Sequence, residues 1–110
     1  MSSTFLAWLT LIGAGLLEIV WAISMKYSEG FTRILPSVLT VAFISISVYL
    51  LSLAIKEIPI GVAYAVWAGI GAAGVSIFGI IIFNEPSSFS HTACLAMIIT
   101  GVIGLNLLSH

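Results

Sequence analysis

Residues Phe5–Met25 read FLAWLTLIGAGLLEIVWAISM, a run in which Glu18 is the single ionisable group. At ~1.5 Å of helical rise per residue, such a run covers the roughly 30 Å hydrocarbon core of a bilayer. The reading that follows is a membrane-spanning helix with a carboxylate within about 5 Å of its midpoint. A carboxylate at that depth is costly, faces a bundle interior or a wet cavity, and marks the path of an ion, a proton or a substrate. The competing reading is an acid held protonated as a helix-to-helix hydrogen-bond donor, a task a glutamine would perform without the pH sensitivity. The preceding MSST has no Lys or Arg, and the apolar run behind it exceeds a signal-peptide core. Phe5–Met25 is therefore expected to be a retained span.

The rest of the composition agrees. Of 110 residues, 61% are hydrophobic and 6% charged, which leaves too little polar surface for a soluble globule. A net charge of −1 provides no basic field, so nucleic acid is not an expected partner. Cys94 is the only cysteine, so no intramolecular disulfide or cysteine-based metal cluster is expected. It reads as a small apolar packing residue within a span. His91 and His110 fall at an edge and a terminus, so no pair of embedded histidines is available to hold a haem. No nucleophile–base set or phosphate loop stands out. No enzyme activity, cofactor or metal is expected.

Three further hydrophobic stretches follow, at Ile34–Ile55, Ile60–Phe83 and about Thr92–Leu108. Pro36 falls in the first turn of the second, where proline is best tolerated. The joints are short, at 26–33, 56–59 and 84–90, which makes neighbouring helices antiparallel. The expected fold is an all-α integral membrane domain over 1–110, with four transmembrane helices. Lys26 and Arg33 lie on one side and Lys56 on the other, a bias of two against one. Insertion in both orientations and selection of a single one both remain open. Four helices hardly enclose an aqueous site and still present an apolar exterior, so a second, inverted copy is expected to supply the missing wall. Thr100, Gly101 and Gly104 form a small-residue face suited to that contact, although such faces are common in membrane bundles.

Helical spacing puts Leu11, Ala14, Gly15, Trp21, Ala22 and Met25 on or near the Glu18 face. Trp21 reads either as a wall of the carboxylate's site or as an interfacial belt tryptophan; Trp8 fits the belt better. Tyr64, Trp67 and Gly71 share one stripe of the third span. Aromatic rings facing a carboxylate make a cation site, and plain aromatic packing is the alternative. Ser45 and Ser47 are either donors into the bundle or bonded to the preceding turn of their own helix. Gly69 and Gly71 read as a mid-span bend or as close packing. Lys26, Arg33 and Lys56 read as snorkelling flanks, and Glu29, Glu57 and Glu85 as loop residues.

Several runs together resemble the small multidrug resistance family of bacterial inner-membrane transporters. They are Glu18-Ile-Val-Trp21-Ala22, Met25 to Arg33 (MKYSEGFTR), Pro36-Ser37, Pro59 to Gly71 (PIGVAYAVWAGIG) and Gly101-Val-Ile-Gly104-Leu105. Trp21 three residues after Glu18, and the Asn84-Glu85-Pro86 turn, resemble its guanidinium-exporting branch. That resemblance implies an antiparallel, dual-topology homodimer in the bacterial inner membrane that exchanges protons for cations by alternating access. By match of position it implies that Glu18 carries both proton and substrate, and that Trp21, Ser47, Tyr64 and Trp67 line the site. It implies further that Ser47 orients Glu18, that Gly69 and Gly71 are a helix bend, and that the fourth helix joins the subunits. Asn106 departs from the pattern, a lysine being frequent there in this branch. The implied substrate suits the site: guanidinium is planar, matches a carboxylate bidentately, and is weakly hydrated for a cation. The partners implied are guanidinium or another small organic cation, protons, membrane lipid and a second copy of the chain. The alternatives are a multidrug exporter of quaternary ammonium and aromatic cations, and a non-transporting accessory subunit.

Overall fold

The computed structural model describes residues 3–108; His110, read above as a terminal residue, lies outside them. Four helices make up the described chain: α1 (Ser3–Tyr27), α2 (Ile34–Ala54), α3 (Ile60–Phe83) and α4 (Phe89–Leu108). Each is long and apolar enough to cross a membrane.

The joints explain where each helix stops. Ser28 is fully buried and organises the first turn: its hydroxyl donates to Met25 O at 2.5 Å and accepts from Phe31 N–H at 3.1 Å. Its carbonyl takes the N–H groups of Thr32 and Arg33 at 2.9 and 3.1 Å. Glu29, Gly30 and Phe31 pass through φ of 50°, 73° and 65°, the left-handed region that breaks a helix outright. Pro36 sits in the first turn of α2, where its missing N–H is no loss. The third joint ends earlier than the sequence suggests, because Ser88 caps α4. Its hydroxyl accepts His91 N–H at 3.1 Å and its carbonyl accepts Thr92 N–H at 3.0 Å, so the helix opens at Phe89 rather than Thr92.

Packing follows from small side chains. In lipid there is no hydrophobic drive between helices, so association depends on close approach. The buried interior accordingly holds Ala7, Ala54 and Ala63 clustered with Trp8, Leu11 and Val66, and Ala14 and Ala73 are buried as well. Helix α1 packs against both α2 and α3, whereas α4 packs against α3 alone. A Cβ on Gly15 would stand 2.9 Å from Ile70, and one on Gly69 would stand 2.6 Å from Val102, so these glycines set the α1–α3 and α3–α4 spacings. Large apolar residues such as Val38, Ile81, Met97 and Leu107 point outward, as lipid-facing side chains do. The chain is a multi-pass membrane protein.

Two expectations fail here. Trp8, read as the better belt tryptophan, is 5% exposed and packs in the core with Leu11, Ala63 and Val66. Cys94 is exposed rather than packed, because α4 touches the rest of the chain along one line only and has no buried residue.

Candidate functional site

Glu18 occupies the seam between α1 and α3. Its carboxyl lies against Gly71, which is buried; a Cβ there would overlap the carboxylate. Glycine at 71 is thus a condition for placing an acid at this depth. The Glu18 Oε1 and the Trp21 Nε1 are both buried without a hydrogen-bond partner. Buried polar atoms are nearly always paired, so two orphans one helical turn apart single out the site. The Trp21 N–H is enclosed by protein, unlike that of a belt tryptophan turned to an interface.

Ser47 on α2 is fully buried and acts as a crosslink. Its hydroxyl donates to Ala14 O at 2.7 Å and accepts the Trp67 indole N–H at 3.0 Å. Ser47, expected to orient Glu18, makes no hydrogen bond to its carboxylate among the described residues and reaches it through the α1 backbone. A hydroxyl has one proton, and here it is committed to the α1 turn that precedes the carboxylate. The Ala14 carbonyl is the one that accepts the Glu18 N–H in an α-helix, so Ser47 holds the backbone below Glu18, not its side chain. Ser45 shows the other behaviour, donating to Val41 O of its own helix at 2.8 Å.

From Trp67 the contacts continue to Tyr64, whose ring lies 5.5 Å away at a 55° tilt and is 57% exposed. Tyr64, Trp67 and Ser47 therefore form one connected set reaching α1 at Ala14. Glu18 and Trp21 follow on the next turns of α1. Helix α3 continues unbroken from Ile60 to Phe83 through Gly69 and Gly71, each of which admits a neighbour, Val102 and Glu18 respectively. Thr100 bonds back to Ala96 O at 2.7 Å, and a Cβ on Gly101 or Gly104 would meet nothing within 4 Å. That face of α4 is open in the single chain.

Lys26 and Glu85, read as bland flank and loop residues, prove to be partners. The ammonium stands 3.2 Å from Glu85 Oε2 and 4.9 Å from the Phe83 ring centroid. Tyr27 packs on the same ring at 5.2 Å. Fifty-nine positions separate the two charges, so no spacing rule links them. The available signal was Asn84, a residue that tolerates the left-handed turn it makes there, with φ 53°.

Comparison with known proteins places this geometry. A profile of the Small Multidrug Resistance protein family matches residues 6–98. A guanidinium exporter of Proteus vulgaris is 51% identical over 104 residues, covering 94% of this chain and 100% of its own. Guanidinium exporters of Yersinia pestis and Citrobacter freundii are 49% and 48% identical over 94% and 96% of this chain, and all of each relative is covered. Four apolar helices, a carboxylate embedded in the first of them and similarity over nearly the whole chain lead to one conclusion: the chain belongs to the Small Multidrug Resistance family.

Proposed function

We propose that the chain exports guanidinium and small substituted guanidinyl cations in exchange for protons, with Glu18 as the shared binding group. The observation that carries this is the buried, unpartnered Oε1 of Glu18, with the unpartnered N–H of Trp21 one helical turn further along α1. An ionised carboxylate has about four acceptor positions. That is enough for the paired N–H groups of a guanidinium and for an indole N–H besides. Trp67 and Tyr64 would offer ring faces to the flat cation, and Ser47 would hold Trp67 and the Ala14 turn in register. A proton on Glu18 removes both the charge and part of the acceptor capacity, so proton and cation exclude one another. Exclusive occupancy is what couples two opposed fluxes through one group.

Alternating access in this reading uses two inverted copies in the bacterial inner membrane, joined through the Thr100, Gly101 and Gly104 face. Gly69 and Gly71 would be the points at which α3 yields. The relatives' names support guanidinium as the cargo, and the open α4 face supports a second copy.

The test is proton flux driven by a guanidinium gradient in liposomes holding the full-length protein. Wild type is expected to exchange, and Glu18→Gln to lose coupled flux entirely. Exchange that survives in Glu18→Gln would refute the role of the carboxylate. Flux with tetraphenylphosphonium but none with guanidinium would move the cargo to bulky aromatic cations.

A further inference from the structure

Glu18 is not the only carboxylate seated against a glycine of α3. The first and third helices run in the same direction, and Glu18 meets Gly71. Eight residues on, Lys26 stands in the last turn of α1, and eight residues beyond Gly71 stands Gly79. Both steps advance ~12 Å along the same seam, toward its rim. There α3 closes with Asn84 in the left-handed conformation and Glu85 N–H bonded back to Gly79 O at 3.3 Å. This closure turns the chain over the end of the helix. It lays the Glu85 carboxylate on Gly79, where a Cβ would overlap it. The same ammonium, that of Lys26, touches this carboxylate and the Phe83 ring, which Tyr27 backs at 5.2 Å.

A carboxylate beside an aromatic face is a cation site, and it is filled by the chain's own Lys26, 3.2 Å from Glu85 and 4.9 Å from the Phe83 centroid. The side chains of the pair are 55% and 46% exposed, so the bond is reachable from water, and ion pairs in that setting are weak. An ammonium is a strongly hydrated point charge. A guanidinium offers two parallel N–H donors to the carboxylate and a flat face to the ring. The same box therefore suits a free guanidinium better than it suits its present occupant.

We propose that Glu85, Phe83 and Tyr27 form a second, rim site for a guanidinium-type cation, with Lys26 as a tethered competitor. The cation visits this box on its way to or from Glu18, and Lys26 refills the box when it leaves. A competitor on a short tether acts at an effective concentration of about millimolar, so it keeps the rim site from trapping cargo. The proposal rests on the exporter reading above, and its test separates the two.

Guanidinium is titrated into full-length protein carrying 13C-labelled Phe and Tyr, and the Phe83 and Tyr27 ring signals are followed by NMR. A Glu18→Gln background silences the central site. Saturable shifts are expected there, with a half-saturation roughly tenfold lower once Lys26→Gln is added. They are expected to vanish when Glu85→Gln is added instead. A Glu18→Gln, Lys26→Gln protein whose rim signals respond no differently from those of Glu18→Gln, Glu85→Gln would overturn the rim site. Retained helical circular dichroism and a single elution peak exclude misfolding as the cause. In liposomes, Lys26→Gln with Glu18 intact should lower the guanidinium concentration for half-maximal flux; an unchanged value argues equally against the box. Failure of wild type to exchange guanidinium at all would sink the exporter reading, whereas wild-type exchange with a silent rim sinks only the second site.

Discussion

A methyl group at position 71 would compete with a carboxylate for the same space, which makes Gly71 the cheapest place to disturb the site. Gly71→Ala is expected to push the Glu18 carboxyl aside and cost roughly a hundredfold in guanidinium-driven flux, as misplacement by about 1 Å does elsewhere. Gly13→Ala, on the same helix as Glu18 but with nothing within 4 Å of the added carbon, is expected to leave flux about unchanged. Paired flux measurements, with helical content as a control, check both. Equal loss in the two variants would mean that the effect is not local. The prediction also marks how far the sequence could be read. Glu18 announced itself as the sole charge of an apolar run. Its neighbour could not, because Gly71 belongs to another helix and its purpose is visible only when α1 and α3 are laid together. Ser47 gave a similar half-answer: a hydroxyl in a span was legible, but its choice of Ala14 O and Trp67 N–H over its own helix was not.

Among the elements, α4 stands apart, with no residue buried and only α3 beside it. Its Thr100, Gly101 and Gly104 face has nothing against it, although small residues in lipid earn their place through close helix contact. If two copies pair through this face, as proposed above, Gly104→Leu is expected to leave helical circular dichroism unchanged while weakening the pairing. Energy transfer between dyes on exposed Cys94 in a mixed population reads that weakening, and undiminished transfer would remove α4 from the contact. Helix identity was plain from hydropathy, since four apolar runs can hardly be anything else in a chain this size. The ends were less so. Ser88 begins α4 three residues early through a cap that has no glutamate three positions on to advertise it, and the Ser28 turn depends on a carbonyl and a hydroxyl that side-chain type alone does not assign.

For the molecule as a whole, orientation hangs on Lys26 and Arg33 against Lys56. Ser87→Lys makes the count three against one, and Arg33→Gln with Glu57→Lys makes it one against two. If opposed copies are needed, each biased variant alone should protect cells poorly from guanidinium, and the two expressed together should restore growth. Full protection by Ser87→Lys alone would show that a single orientation suffices. The lone seam that holds α4 has a consequence of another kind. Most of the surface of that helix has no neighbour within the described residues of one copy. If two copies pair through the Thr100, Gly101 and Gly104 face, as proposed above, a lone subunit would leave it bare to lipid. Encounter between chains is second order, so halving the supply cuts the pairing rate about fourfold. In that case the fraction of chains that are paired would depend on how much of the protein is made.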